Sequence, residues 1–305
     1  MWSALYPAPD WDAMRHDWPG SAHSVFVRCG DMRWHVQRMG QGPALVLLHG
    51  TGASTHTWRE LMPLLAQHHT VWAVDLPGHA FSHPLPHVPP SLPHVAQALM
   101  ALLAQLKCRP LTWVGHSAGA AIAAQICTDP SWLAQGEAGR LVALNPAWLP
   151  MPGSARWLYP LAAWVVGHNP LSGWLAAKQA THTALVDKLL EQTGSTIDER
   201  GRRCYRYLMG QPAHDRGVLQ MMAAWDLDAL RSRLPLLRLP VQLQIGLNDG
   251  TVPPRLADEV CSVLPHAQRI DWPGRGHLAH EEDPQGCAQA IQSFVTHSPA
   301  GSSSG

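Results

Sequence analysis

"WVGHSAG", residues 113–119, sets one serine between two glycines directly after a short apolar run. Ser117, with Gly115 and Gly119, has the G-x-S-x-G spacing of a nucleophile elbow, where a sharp strand-to-helix turn holds the serine oxygen clear of the backbone. Glycines there prevent clashes around a strained turn. A glycine-rich helix start also packs closely on a sheet, so the pattern alone leaves packing and chemistry both open. The context is that "LTWVGHS" reads as a strand and "AGAAIAAQIC" as the helix it feeds.

Working outward, buried strands and helices alternate on both sides. Upstream, "SVFVRCGDMRWHVQRMG" (24–40) alternates around a Gly-Asp turn, the mark of an antiparallel hairpin. "ALVLLHG" (44–50) is a near-continuous apolar run, as a parallel strand covered on both faces should be. "WRELMPLLAQ" (58–67) has helical spacing, "TVWAVDLPG" (70–78) is a strand with its exit turn, and "SLPHVAQALMALLAQL" (91–106) is a helix. Downstream, "RLVALNPAW" (140–148), "VQLQIGLND" (241–249) and "AQRIDWPG" (267–274) supply strands, with helices from about Arg255 and over 285–296. The pattern predicts an α/β fold, a doubly wound and mostly parallel sheet with an antiparallel start.

One stretch breaks the alternation. Leu149 to Leu239 holds helical pieces broken by Pro and Gly, and no strand-like run. Inserted after the sixth strand, it reads as a helical lid, because ligands of such sheets sit at the carboxyl ends of the strands and a lid closes over that edge. The expected division is an N-terminal extension (1–23), a core (24–148 and 240–297), the lid (149–239) and a flexible tail (298–305).

Composition narrows the function class. Lys plus Arg and Asp plus Glu are each 22, so the formal net charge is zero, and a neutral chain without basic runs has no electrostatic footprint for nucleic acid. The charged fraction, 14%, is below the usual quarter, while 46% is hydrophobic, which implies a large apolar interior or an apolar surface that meets something. Six cysteines without a C-x-x-C pair argue against a zinc knuckle or a disulfide framework and fit a reducing compartment. Scattered histidines such as His68 and His69 read as solvated loop residues. The N-terminus carries acidic residues where a secretion signal needs a basic and then an apolar stretch. No run approaches the ~18 apolar residues of a transmembrane segment, so the expectation is a soluble, cytoplasmic protein.

The elbow acquires meaning if a base and an acid join it. A serine hydroxyl is a poor nucleophile at neutral pH; a histidine must take its proton, and a carboxylate must hold that histidine in the right tautomer. "VQLQIG" runs into "LNDGTVP", placing Asp249 just past the sheet edge, and "AQRIDW" runs into "PGRGHLAHEE", placing His277 in the corresponding loop. Asp249 as a turn cap and His277 as a structural loop residue are the plainer alternatives. His280 ranks second as base, Asp75 of "DLPGHAFS" braces a loop, and Asn145 carries an amide that cannot stabilise an imidazolium. An acyl-transfer intermediate needs two donors at its oxyanion, and the backbone N–H groups of Thr51 in "LLHGTGAS" and of Ala118 are the candidates. Such chemistry calls for no metal and no organic cofactor.

Together "LLHGTGASTHTW", "DLPGHAFS", "GHSAGAAIA", "GLNDGTVP" and "GRGHLAHEE" resemble the α/β-hydrolase fold over about residues 24–297. "RWHVQRMG" (33–40), "LNPAWLPMPG" (144–153), "EQTGS" (191–195) and "MMAAWDLDAL" (221–230) narrow the resemblance to the magnesium-chelatase accessory hydrolases of bacteriochlorophyll biosynthesis. That resemblance implies work near magnesium insertion into a tetrapyrrole and contact with magnesium chelatase, and it maps Ser117, Asp249 and His277 onto a hydrolase triad. Serine at 117 excludes the halide- and epoxide-opening branches, which use aspartate there. Two functions follow: a serine hydrolase of an ester, thioester or C–C bond, or a non-catalytic accessory that binds or delivers a tetrapyrrole. His116, Trp148 and Trp225 are the candidate substrate contacts. Trp148, Trp225 and the lid's Trp157, Trp164 and Trp174 would stack on a planar macrocycle or simply fill the lid's own core.

Overall fold

The computed structural model of the chain describes residues 7–130, 139–150 and 183–296. Its strands are β1 (Ser24–Cys29), β2 (Met32–Met39), β3 (Ala44–Leu48), β4 (Thr70–Val74), β5 (Thr112–His116), β6 (Arg140–Leu144), β7 (Val241–Gly246) and β8 (Gln268–Trp272). They form one sheet in the order β1-β2-β4-β3-β5-β6-β7-β8. β2 pairs antiparallel with both β1 and β4, and every pairing from β4 to β8 is parallel. The described helices are α1 (Trp11–Met14), α2 (Leu61–Leu65), α3 (Leu92–Gln105), α4 (Ala118–Cys127), α5 (Thr183–Gln192), α6 (Glu199–Leu208), α7 (Pro212–Ala224), α8 (Leu227–Arg233), α9 (Leu256–Val263), α10 (Ala279–Glu282) and α11 (Pro284–Thr296).

Burial on both faces explains the apolar strands. Leu45 and Leu47 of β3 pack with Leu61 and Leu65 of α2 and Ile291 of α11, while Val46 and Leu48 pack with Val95 and Leu99 of α3 and the alanines of α4. Alternate residues thus enter opposite cores, each worth about 2 kcal/mol on burial, and the strand has no face left for water. All ten residues of α4 are buried. Its small side chains let it lie so close to β3 that a Cβ on Gly119 would stand 2.0 Å from the Leu48 carbonyl oxygen.

Between β6 and β7, the described part of the insertion is the helical series α5 to α8. Asp198 and Asp226 cap α6 and α8, each accepting a backbone N–H that the first turn leaves free. Trp157, Trp164, Trp174 and the apolar stretch 157–167 lie outside the described residues. The N-terminal stretch is built in: Trp18 is buried with Phe81 and with Cys204 and Leu208 of α6. His69, expected in solvent, is buried instead, its Nδ1–H donating to the Leu65 carbonyl at 3.2 Å. Among the described residues no helix is long and apolar enough to cross a membrane.

Candidate active site

β5 delivers Ser117 and α4 leaves from it. Ser117 holds φ +50° and ψ −113°, a conformation that costs a non-glycine residue about 1–3 kcal/mol and persists only where its surroundings impose it. Here its N–H donates to the Leu144 carbonyl at 2.9 Å and its own carbonyl accepts from Ala147 at 3.2 Å. A Cβ at Gly115 would lie 2.4 Å from the Ala120 nitrogen, so both glycines of the motif sit where no side chain fits. Ser117 itself is half-buried.

The loops after β7 and β8 bring the acid and the base together. Asp249 Oδ2 accepts from His277 Nδ1 at 2.7 Å and from Asn145 Nδ2 at 2.8 Å. Oδ1 accepts the N–H groups of Thr251 and Val252 at 2.7 and 2.8 Å. Four donors fix the carboxylate, and it in turn fixes the His277 tautomer: Nδ1 carries the proton and Nε2 keeps a lone pair.

His116 and His280 flank this pair without sharing its role. His116 Nε2–H donates to the His277 carbonyl at 2.9 Å, and burial, with His280 and His277 beside it, holds its pKa well below the ordinary histidine value. It is a neutral strut between the elbow and the base loop, so the expectation of a substrate contact at His116 is corrected. His280, the reserve base, is equally committed. Thr57 donates to Glu281 Oε1 at 2.5 Å, so His280 Nε2–H donates to Thr57 Oγ1 at 2.8 Å, and burial pushes its pKa down to about 3.

Opposite the elbow runs the turn after β3. A Cβ on Gly50 would stand 3.1 Å from Ser117 Cβ, and Gly52 turns the chain at φ +80°. Among the described residues no acceptor takes the N–H of Thr51 or of Ala118. Thr51 follows the glycine that faces Ser117, and Ala118 follows Ser117 itself. Asp75 lies beneath, fully buried, accepting from His35 Nδ1 at 2.7 Å and Thr55 N–H at 2.7 Å. It braces the loops, as its sequence position implied.

Residues 43–284 match the family model described as alpha/beta hydrolase fold. The chain is 34% identical to the magnesium-chelatase 30 kDa subunit of Rhodobacter capsulatus over 93% of its own length and 98% of that protein. The chain belongs to the α/β hydrolases, in the family of that subunit. It is also 27% identical to the pimeloyl-[acyl-carrier protein] methyl ester esterase of Vibrio vulnificus, over 87% of this chain and 98% of the esterase. An alpha/beta hydrolase fold protein from Burkholderia ambifaria superposes with a TM-score of 0.71 at 25% identity, covering 89% of this chain and all of that one, 100%.

In this α/β hydrolase the two tryptophans expected at the substrate differ from that reading. Trp148 is 0% exposed and belongs to the main core. The chain after β6 turns inward there, leaving no ring face for a ligand. Trp225 is half-buried, and its Nε1–H donates to the Pro90 carbonyl at 3.0 Å, tying the end of α7 to the loop after β4. A cleft of about 490 Å³ opens beside it, between Pro77, Pro84 and Val88 of that loop and Gly217, Gln220 and Ala224 of α7. It lies at the carboxyl edge of the sheet, as the elbow does, and Met221 of α7 reaches Thr51 Oγ1 at 3.9 Å. A larger cavity, 920 Å³, lies between the C-terminal ends of α3 and α4 at the opposite edge, away from this chemistry. Among the described residues no group of three or more His, Cys, Asp or Glu side chains is disposed to hold a metal ion.

Proposed function

We propose that the chain is a serine hydrolase in which Ser117, His277 and Asp249 act as nucleophile, base and orienting acid. The observation that carries this reading is the 2.7 Å bond from His277 Nδ1 to Asp249, in a loop tied to His116, the residue before a serine held in a strained turn. His277 Nε2 takes the Ser117 hydroxyl proton as Oγ attacks a carbonyl carbon. The tetrahedral oxyanion is held by the N–H groups of Thr51 and Ala118, donors that no acceptor takes among the described residues. As the intermediate collapses, His277 returns the proton to the leaving group. Water, deprotonated by the same imidazole, then frees the acyl group and regenerates Ser117. The bond class is an ester, thioester or C–C bond beside a carbonyl. The apolar cleft between α7 and the loop after β4 is the entrance the substrate would use.

The likeness to a magnesium-chelatase subunit supports a place in bacteriochlorophyll synthesis near magnesium insertion, with a tetrapyrrole as substrate. It also favours a second reading, since a subunit need not catalyse: an accessory that contacts the chelatase or hands over a tetrapyrrole. The deciding experiment restores a phototrophic host lacking its own copy with wild type or Ser117→Ala, at equal protein levels. Failure of Ser117→Ala, with an early tetrapyrrole accumulating, is the expected result. Full pigment with Ser117→Ala would establish the accessory role.

A further inference from the structure

The turn Thr193–Ser195 joins α5 to α6 inside the insertion, and no step above uses it. It nonetheless touches both loops that carry the acid and the base. The Thr193 carbonyl accepts two N–H bonds, from Gly250 at 3.2 Å and from His277 at 2.9 Å. Ser195 Oγ accepts the N–H of Leu278 at 2.8 Å. Glu282 closes the ring, accepting from Thr196 N–H at 3.1 Å and from Gly276 N–H at 2.7 Å. Around the glycines the contact is backbone on backbone. A Cβ on Gly194, at φ +74°, would stand 1.9 Å from the Asn248 carbonyl oxygen; one on Gly250, 2.2 Å from that of Gln192; one on Gly276, 2.3 Å from the carbonyl carbon of Gly194. Three loops from distant parts of the sequence each present a glycine where they meet, which gives the "EQTGS" stretch a physical reason.

His277 is therefore gripped from two sides. The insertion holds its N–H through Thr193, and the core holds its carbonyl through His116. We propose that the Thr193–Gly194–Ser195 turn is a positioning element for Asp249 and His277, so that the triad is competent only while the cap is docked. The proposal rests on the serine-hydrolase reading. A ligand or partner that seats the cap aligns the base; one that lifts it withdraws three backbone restraints at once. Misplacement of a reacting group by about 1 Å costs on the order of a hundredfold in rate.

The test uses the full chain, hydrolysis of p-nitrophenyl butyrate, and labelling by a fluorophosphonate. Ser195→Ala is expected to lower kcat and the labelling rate about tenfold while KM stays within about twofold. Ser195→Thr, which keeps the hydroxyl, is expected to restore most of the rate. The low-field proton resonance of His277 Nδ1–H should weaken in the alanine variant and recover in the threonine variant, which loss of stability alone would not produce. Gly194→Ala is expected to lose about a hundredfold; should it fail to fold, the Ser195 pair decides. Wild-type rates in Ser195→Ala, or a change in KM alone, overturn the clamp while leaving the hydrolase reading intact if Ser117→Ala is dead. Turnover and labelling indifferent to Ser117→Ala overturn the hydrolase reading, and the clamp with it.

Discussion

Two buried histidines in this molecule bond an aspartate in the same way. Nδ1 to Oδ2 is 2.7 Å for His277 with Asp249 and 2.7 Å for His35 with Asp75. The second pair even ends on a serine, since His35 Nε2 lies 2.9 Å from Ser24 Oγ. What separates them is the backbone around each serine. Ser24 opens β1 in register with Gln37, and its hydroxyl also accepts from Gln37 Nε2 at 3.3 Å. Ser117 stands in a strained turn at a helix start, and among the described residues no acceptor takes the N–H groups of Thr51 and Ala118. The two aspartates differ in the same sense. Asp75 takes Thr55 and Phe81 N–H groups and so pins two loops. Burial alone would raise its pKa, but His35, His49 and the Thr55 N–H bring it down to about 2. A His-Asp hydrogen bond is thus part of a strut in one place and of a candidate catalyst in the other.

The largest effect tests that separation directly. Asp249→Asn is expected to cut kcat by about 10⁴-fold, since the amide favours the wrong His277 tautomer, with the fold kept. Asp75→Asn is expected to do the reverse, costing about 3–5 kcal/mol of stability by breaking a buried pair, with kcat per folded molecule preserved. Ser24→Ala should leave fluorophosphonate labelling unchanged. Urea denaturation and labelling rates on the three variants settle it, and equal catalytic loss in folded Asp75→Asn breaks the comparison.

Much of this arrangement was legible in the chain itself. β3 and β5 to β7 have no solvent face, so their apolar runs mark them without ambiguity, and Asp249 and His277 follow strands whose ends are clear. What escaped were contacts made across the sequence. His116 bonds a carbonyl 161 residues away, and nothing local distinguishes such a strut from a ligand contact. Trp148 borders the lid in sequence but turns into the core in space. His69, His116 and His280 look polar in composition, yet each is buried with one ring nitrogen bonded in the interior. The clamp at Gly194 left one visible trace, a glycine in each of "TGS", "NDG" and "GRG", and only the fold brings the three together.

A middle-sized effect concerns a histidine with no carboxylate partner. His214 of α7 accepts the Ala80 N–H at 3.0 Å through Nδ1, linking the cap to the loop after β4. Burial and the neighbouring His49 push its pKa down to about 4, against the Gly52 backbone and Asp75, which favour the charged form. The native state therefore keeps it neutral while the unfolded chain binds a proton below about pH 6.5. Stability contributed by the neutral form is complete above that value and falls as pH drops towards 4, by roughly 3 kcal/mol in all. His214→Asn, which can still accept from Ala80, is expected to flatten the dependence of the urea midpoint on pH across this window. An unchanged slope would show that His214 titrates as it does in water.

The smallest effect concerns how Asp249 is held. Asp75 fills its oxygens with His35 and backbone donors, whereas Asp249 also takes a side-chain amide from Asn145, at φ +44° after β6. Asparagine tolerates that backbone better than most residues, so a turn role alone would suffice to explain it. The hydrogen bond argues for more, because it reaches the same oxygen that His277 uses and limits how far the carboxylate can rotate. Asn145→Gly frees the backbone from strain and removes the donor, along with the long 3.4 Å bond that Asn145 Oδ1 accepts from Gly246 N–H. Loss of one such bond is worth about 1 kcal/mol, so kcat should fall about fivefold with KM unchanged. If Asn145→Gly keeps full kcat, the donors shared by both aspartates, a histidine and two backbone N–H groups, are enough to hold either one.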